Sequence, residues 1–320
     1  MTAWVWLIPQ VRPRLFWAAV LISAALFFSS QLALAQFSQQ GSRLVYSYTT
    51  LNHPQALLTV ANGINDAGEI VGGYADNSGS HSFLYSGGKY TTLDDPLATP
   101  GSTNANGIND KGQIVGGYGD SYGEHGFFYS GGKYTPLNDP LSIFDPNCGG
   151  INCPGFTFAY DINDKGQIVG QYTDSNRLRH GFLYSGGNYT TIDDPLATNG
   201  TFARGINNKG QIVGQYIDSS GEHGFLYSDG KYTTINDPLA TNATYARRIN
   251  DKGQIVGLYV DSSGAQHGFL YSDGKCTTID DPLGTVQRAA FGINNAGQIV
   301  GYYQDTSGQH GFLAIPVTKP

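Results

Sequence analysis

The sequence predicts an all-β fold: a six-bladed β-propeller with four antiparallel strands per blade, its ring closed by an N-terminal strand that completes the last blade. Three observations carry this expectation. First, the phrase Gly-Ile-Asn-Asp-Lys-Gly-Gln-Ile-Val-Gly recurs six times with small changes. Its Ile falls at Ile64, Ile108, Ile162, Ile206, Ile249 and Ile293, at spacings of 44, 54, 44, 43 and 44 residues. Second, each unit holds four short strand-like runs separated by turn residues. Third, the sixth unit stops after its third run, while a run at the other end of the chain, Tyr48 to Pro54, matches the fourth run of the other units. Composition agrees: 44 Gly, 21 Tyr and 16 Phe with a single Met in 320 residues favour strands and tight turns. A hydrophobic content of 40% is ample for a packed core and excludes a disordered chain. Length alone, at roughly 150 residues per domain, suggests two domains, but six copies of one unit explain the spacing better.

Residues 1–35 read as a secretory signal. Arg12 and Arg14 precede an apolar run from Leu15 to Phe28, and Ala33-Leu34-Ala35 supplies a small-x-small cleavage site. The run is short for a bilayer span, and no Cys stands by the cut to take a lipid anchor. The expectation is a secreted, extracellular or periplasmic protein with no membrane span after cleavage and a folded body of residues 36–320. Without the first 35 residues 16 basic and 25 acidic residues remain, a net charge of −9. That balance excludes a nucleic-acid partner, which requires a basic footprint.

The fourth unit shows the strands in order: Thr201–Asn207, Gln211–Tyr216, His223–Ser228 and Lys231–Ile235. Asn208-Lys209-Gly210 and Asp218-Ser219-Ser220-Gly221 suit the first two turns, where Gly supplies positive φ. Asp229-Gly230, like Gly87-Gly88 in the first unit, is the dipeptide of a two-residue type I′ hairpin. An N-terminal strand that completes the last blade makes the Gly-Ile-Asn strand innermost. Its small residues (Ala61, Gly63, Ala105, Gly107) suit the crowding at an axis. The Lys- and Thr-rich fourth strand suits a solvated edge. An open array would instead want polar caps at both ends.

The repeat resembles the bacterial HAF family of extracellular repeat proteins, named for a His-Ala-Phe motif. Here the motif reads His-Gly-Phe at His125, His180, His223, His267 and His310, and His-Ser-Phe at His81. The resemblance spans nearly all of residues 46–315. It implies an exported protein of repeated β-structure and brings no reaction, substrate or catalytic residue.

Six His at one repeat position invite a metal reading. They begin the third strand, however, two strand spacings of about 4.8 Å beyond the innermost one, so neighbouring blades hold them too far apart for one ion; a hydrogen-bonding role is expected. The acid pairs Asp94-Asp95, Asp193-Asp194 and Asp280-Asp281 recur before Pro, where Asp is an ordinary turn former. A catalytic pair needs carboxylates in different environments, which a repeated pair does not offer. No catalytic residue, metal site or cofactor is expected.

Function is sought where six-fold repetition breaks. Two residues before the repeat Ile the chain carries Asn62, Asn106, Tyr160, Arg204, Arg247 and Phe291; at the next position Gly gives way to Asp161 and Arg248. Arg offers a donor fork for carboxylate or sulfate, and Tyr160 and Phe291 offer flat faces for a sugar ring. These residues, with Asp161, form the candidate ligand site. The ten-residue excess between the second and third units contains Cys148 and Cys153, expected to form a disulfide in an exported protein. Cys276 stands alone. The function expected is a monomeric exported binding module for a glycan, cell-surface polymer or protein. The alternatives are a carbohydrate-active hydrolase or lyase working on an acidic polysaccharide in the central channel, and a purely structural surface protein.

Overall fold

Hydrogen bonding sorts the strands into fours. The computed structural model describes residues 45–142, 156–285 and 287–317. All but the end residues Val45 and Val317 belong to the compact unit Tyr46–Pro316. Among the described residues there is no helix, so none that is long and apolar enough to cross a membrane. Residues 1–35, Cys148 and Cys153 lie outside the described residues.

Blade one runs outward through Leu58–Ile64, Ile70–Asp76, Gly79–Ser86 and Lys89–Thr92, each antiparallel to the last. Blades two and three repeat this order in Thr103–Leu137 and Thr157–Ile192. Blades four and five, Thr201–Ile235 and Ala243–Thr278, are joined into one eight-stranded sheet by a single parallel bridge, Glu222 to Ala243. Bridges of the same kind link Ser80 to Ser102 and Gln266 to Gln287, so the joint is a contact between neighbouring blades. The sixth sheet takes Arg288–Ile293, Ile299–Asp305 and Gly308–Val317 from the end of the chain and Val45–Leu51 from its beginning. The ring is thus closed as the repeat pattern predicts.

Closure reproduces the contacts inside other blades. Tyr74 and Thr92 share a hydroxyl hydrogen bond of 3.1 Å in blade one, and Tyr303 makes the same bond with Thr50 of the N-terminal strand, also 3.1 Å. His310 Nδ1 meets Asn52 Oδ1 at 3.1 Å, as His125 meets Asn138 within blade two.

The core lies between the sheets. The third-strand Phe of every blade (Phe83, Phe127, Phe182, Phe225, Phe269, Phe312) is fully buried, as is the second-strand Ile of each. Val71 of blade one packs into the cluster of Ile108, Ile114 and Phe127 of blade two, and the pattern repeats around the ring. The Phe ring dictates one glycine. A Cβ at Gly72 would lie 2.0 Å from the Val60 carbonyl and 2.8 Å from the Phe83 ring, so only Gly fits beneath it. The hairpins adopt the expected positive φ at both central residues: 57° and 82° at Gly87-Gly88, 52° and 77° at Asp229-Gly230.

Candidate functional site

The inner strand of each blade carries a β-bulge. Pairing with the second strand slips between Ala61 and Gly63, and at the matching place in all six blades, as between Ala159 and Asp161 or Ala203 and Gly205. The residue skipped has no strand partner, and a bulge re-aims its side chain. The six skipped residues are Asn62, Asn106, Tyr160, Arg204, Arg247 and Phe291. Together with Arg248 they line one cavity of about 80 Å³ at the axis.

Two of the six are structural ties. Asn62 Nδ2 donates to the Ala105 carbonyl at 2.9 Å and Asn106 Nδ2 to that of Ala159 at 3.0 Å, joining each blade to the next. The others form an aromatic–cation cluster. The Arg204 guanidinium lies 4.0 Å from the Tyr160 ring centroid and 5.2 Å from that of Phe202, while Nε donates to Gln215 Oε1 at 3.1 Å. Arg247 sits 5.2 Å from Phe291 and 5.6 Å from Tyr245, and its buried Nε has no hydrogen-bond partner. Burial, then the charge of Arg204, pushes Arg247 down to about 9, so it is still a cation at neutral pH. Among the described residues no carboxylate pairs with Arg204 or Arg247.

Asp161 and Arg248 are placed differently. Both are buried, with Asp161 Oδ1 3.3 Å from Arg248 Nε and Asp161 Oδ2 accepting the Ile206 amide at 2.9 Å. From blade five the Arg248 guanidinium reaches the carbonyls of Asn106 (2.6 Å), Tyr160 (2.7 Å) and Arg204 (2.6 Å) in blades two, three and four, and that of its neighbour Arg247 (3.0 Å). It therefore lies across the axis as a plug, with Asp161 as its counter-charge. Asp161 lines the cavity on the far side of that plug, apart from the other candidate residues.

A larger cleft adjoins the axial cavity and shares Tyr160 and Arg204 with it. It measures about 360 Å³ and is lined by Asn104 and Glu124 of blade two, Phe156, Phe158, Tyr160, Gln171 and Arg179 about blade three, and Phe202 and Arg204 of blade four. Phe156 and Phe158 stack at 5.7 Å between centroids, and Phe158 meets Tyr160 at 5.3 Å. Phe158 lies over Gly117, where a Cβ would come within 2.2 Å of its ring. Burial pushes the Glu124 carboxyl up. Reading only the positions one and two before the repeat Ile misses this cleft. The signal is two residues earlier, in the series Val60, Asn104, Phe158, Phe202, Tyr245, Ala289, and on the second strand, where Gln171 and Gln215 replace Gly73 and Gly117.

The far end of the axis keeps its symmetry. The Asn of each Gly-Ile-Asn motif donates through Nδ2 to the carbonyl of the next, from Asn65 to Asn109 (3.1 Å) round to Asn294, which returns to Asn65 at 3.1 Å. The following residue forms a second ring, each backbone amide donating to the next side chain, from Asp66 to Asp110 (2.8 Å) through to Asn295, which closes on Asp66 at 2.7 Å. The repeat His bonds within its blade to the first acid of the pair, and the second acid ties its blade to the next. His81 Nδ1 meets Asp94 at 2.8 Å, while the Asp95 amide donates to Thr103 of the next blade. Cys276 is half-buried, and burial pushes its thiol up to about 12.

Neither a family model nor a curated protein matches the sequence. Among solved structures, the chain is similar to AofleA from Arthrobotrys oligospora at 10% identity, covering 86% of this chain and 90% of that one with a TM-score of 0.53. It is similar to a gluconolactonase from Xanthomonas campestris at 13% identity, with coverage of 85% and 90% and a TM-score of 0.51. A fungal lectin from Aleuria aurantia, a six-bladed β-propeller with its own mode of fucose recognition, matches at 13% identity over 76% and 78% of the chains, with a TM-score of 0.43. What this chain shares with the first two is the fold alone.

Proposed function

We propose that this protein is an exported carbohydrate-binding propeller of HAF-type repeats, and that it takes its glycan at the non-repeating end of the axis. Propeller architecture alone does not select a ligand, because function lies in the site. The observation that carries the reading is the pair Arg204 and Arg247: two neighbouring cations with no acid partner among the described residues, set against the faces of Tyr160, Phe202, Tyr245 and Phe291. Aromatic faces take the apolar side of a sugar ring, and guanidinium forks take its oxygens. A glycan serves this site better than a protein partner, because the polar donors are recessed in cavities.

Arg248 argues against an enzyme that threads polysaccharide along the axis, since its guanidinium already spans it. Among the described residues the adjoining cleft has one carboxyl group, Glu124, whereas glycoside hydrolysis by the usual route takes two. Calorimetric titration of neutral and acidic oligosaccharides tests the proposal. Binding is expected, with the double variant Arg204→Gln/Arg247→Gln weakening it at least tenfold at an unchanged unfolding midpoint. Absence of binding across the panel overturns it.

A further inference from the structure

We propose that the 360 Å³ cleft between blades two, three and four seats one hexuronate residue of an acidic glycan, with a sugar hydroxyl donating to Gln171 Oε1 and the carboxylate on Arg204. This rests on the carbohydrate reading above and names its substrate class.

Gln171 is the first ground. It is 5% exposed, lines the cleft, and its Oε1 has no hydrogen-bond partner among the described residues. Buried acceptors are rarely left so. The protein contains its own control in the next blade, where Gln215 occupies the same strand position and its Oε1 accepts from Arg204 Nε at 3.1 Å. The residue that would do this for Gln171 is Tyr160, whose hydroxyphenyl group is instead engaged beneath Arg204. Gln171 borders the cleft with this acceptor buried and unanswered, and an O–H donor from a ligand seated against it supplies the missing partner.

The walls supply the rest. Phe156, Phe158 and Phe202 give apolar faces for the C–H side of a pyranose, and about 360 Å³ is near the lower end of small-molecule pockets, roughly 300–1,000 Å³. That suits a sugar ring and not a folded partner. The cleft is also polarised. Glu124 stands on the blade-two wall as a hydroxyl acceptor, Arg179 lines the blade-three side, and among the described residues no carboxylate pairs with Arg204 on the blade-four wall. A sugar with hydroxyls on one side and a carboxylate on the other matches this polarity. A neutral sugar leaves the cation unanswered, and a small inorganic anion leaves the aromatic wall and Gln171 unanswered.

The test is calorimetric titration of the protein with trimers of galacturonate, glucuronate and mannuronate, with maltotriose, and with inorganic sulfate as competitor. At least one uronate trimer is expected to bind ten times more tightly than maltotriose, and sulfate at equal concentration is not expected to displace it. Gln171→Leu should weaken the uronate about five- to tenfold, the worth of one hydrogen bond, while raising the unfolding midpoint. Arg204→Gln should weaken the uronate more than tenfold and leave maltotriose unchanged. Equal binding of maltotriose, insensitive to Arg204→Gln, overturns the uronate assignment and leaves the carbohydrate reading standing. Displacement by sulfate, or uronate binding untouched by both variants, also overturns it. Failure of every trimer to bind overturns the broader reading with it.

Discussion

Arg248 answers four carbonyls and one carboxylate with a single guanidinium. Removing one partner of a buried ion pair leaves the other charge uncompensated, at about 3–5 kcal/mol. Arg248→Met should therefore cost that much in urea unfolding, and Asp161→Leu/Arg248→Met should cost less than the two single changes added together, a coupling that a double-mutant cycle measures. Two of the repeat His residues, His267 and His81, give a pH dependence. His267 has Asp280 at 2.7 Å from Nδ1 and Asp261 at 3.2 Å from Nε2, with Arg288 also 3.6 Å from Asp280. Burial lowers its pKa, but the two carboxylates outweigh burial and raise it; at His81 the hydrogen bond to Asp94 leads the rise. The stability these pairs contribute is complete below the unfolded value of about 6.5 and is lost as pH climbs through the raised folded value. Unfolding midpoints should fall over that interval, and His267→Gln should flatten the profile. The bulge residues were legible in the sequence because they vary at one fixed offset from an unvarying Ile. Gln171 and Glu124 were not, because a polar residue in place of Gly or Ser reads as surface variation until strand pairing sets Gln171 opposite Phe158 and the fold brings Glu124 to the same cleft.

The strand Val45–Leu51 is the clearest element-level success of pattern reading, since the missing fourth strand of unit six had only one place to come from. Its contacts with the last blade match those inside the others, including the Thr50–Tyr303 bond. Leu51 packs beyond them into the blade-one cluster, as Leu93 does into that of blade two. Removing residues 45–51 should expose the edge of Gly308–Val317, a row of unpaired backbone groups that invites association. The expected outcome is a lower unfolding midpoint and a shift to larger species in gel filtration; an unchanged midpoint and elution volume would contradict the closure. The bulges were not legible. They follow from fitting a twisted inner strand against neighbours that approach closely, as where Gly63 meets the Asn106 carbonyl, and no residue in the motif announces them.

Over the whole molecule, the two ends of the axis obey different rules. One end repeats a ring of Asn and a ring of Asp or Asn, while the other is filled by side chains that differ from blade to blade. In the acidic ring Asn208 and Asn295 each bridge two carboxylates through Nδ2, but Asp110 stands between Asp66 and Asp164 with no amide to offer. Burial, then those two charges, raises its pKa, so its ionised form costs stability at high pH. Asp110→Asn should keep the Asp66 amide bond, add donors to both neighbours and raise the unfolding midpoint slightly at pH 7, since the site is exposed and solvent-screened, with less gain near pH 4; equal unfolding midpoints at pH 7 would refute it. The overall ring was legible because every blade obeys one pattern, whereas the plug depends on one side chain reaching three other blades. The borrowed strand has a consequence for descent. The unit copied along the chain and the blade seen in space are out of phase by one strand, so the seam never coincides with a copy boundary. A duplication or loss of one 44-residue unit would leave every blade complete and the seam intact, changing only the number of sectors around the axis. Lineages of such chains can therefore revise their size in whole sectors without re-inventing the lock that shuts the circle.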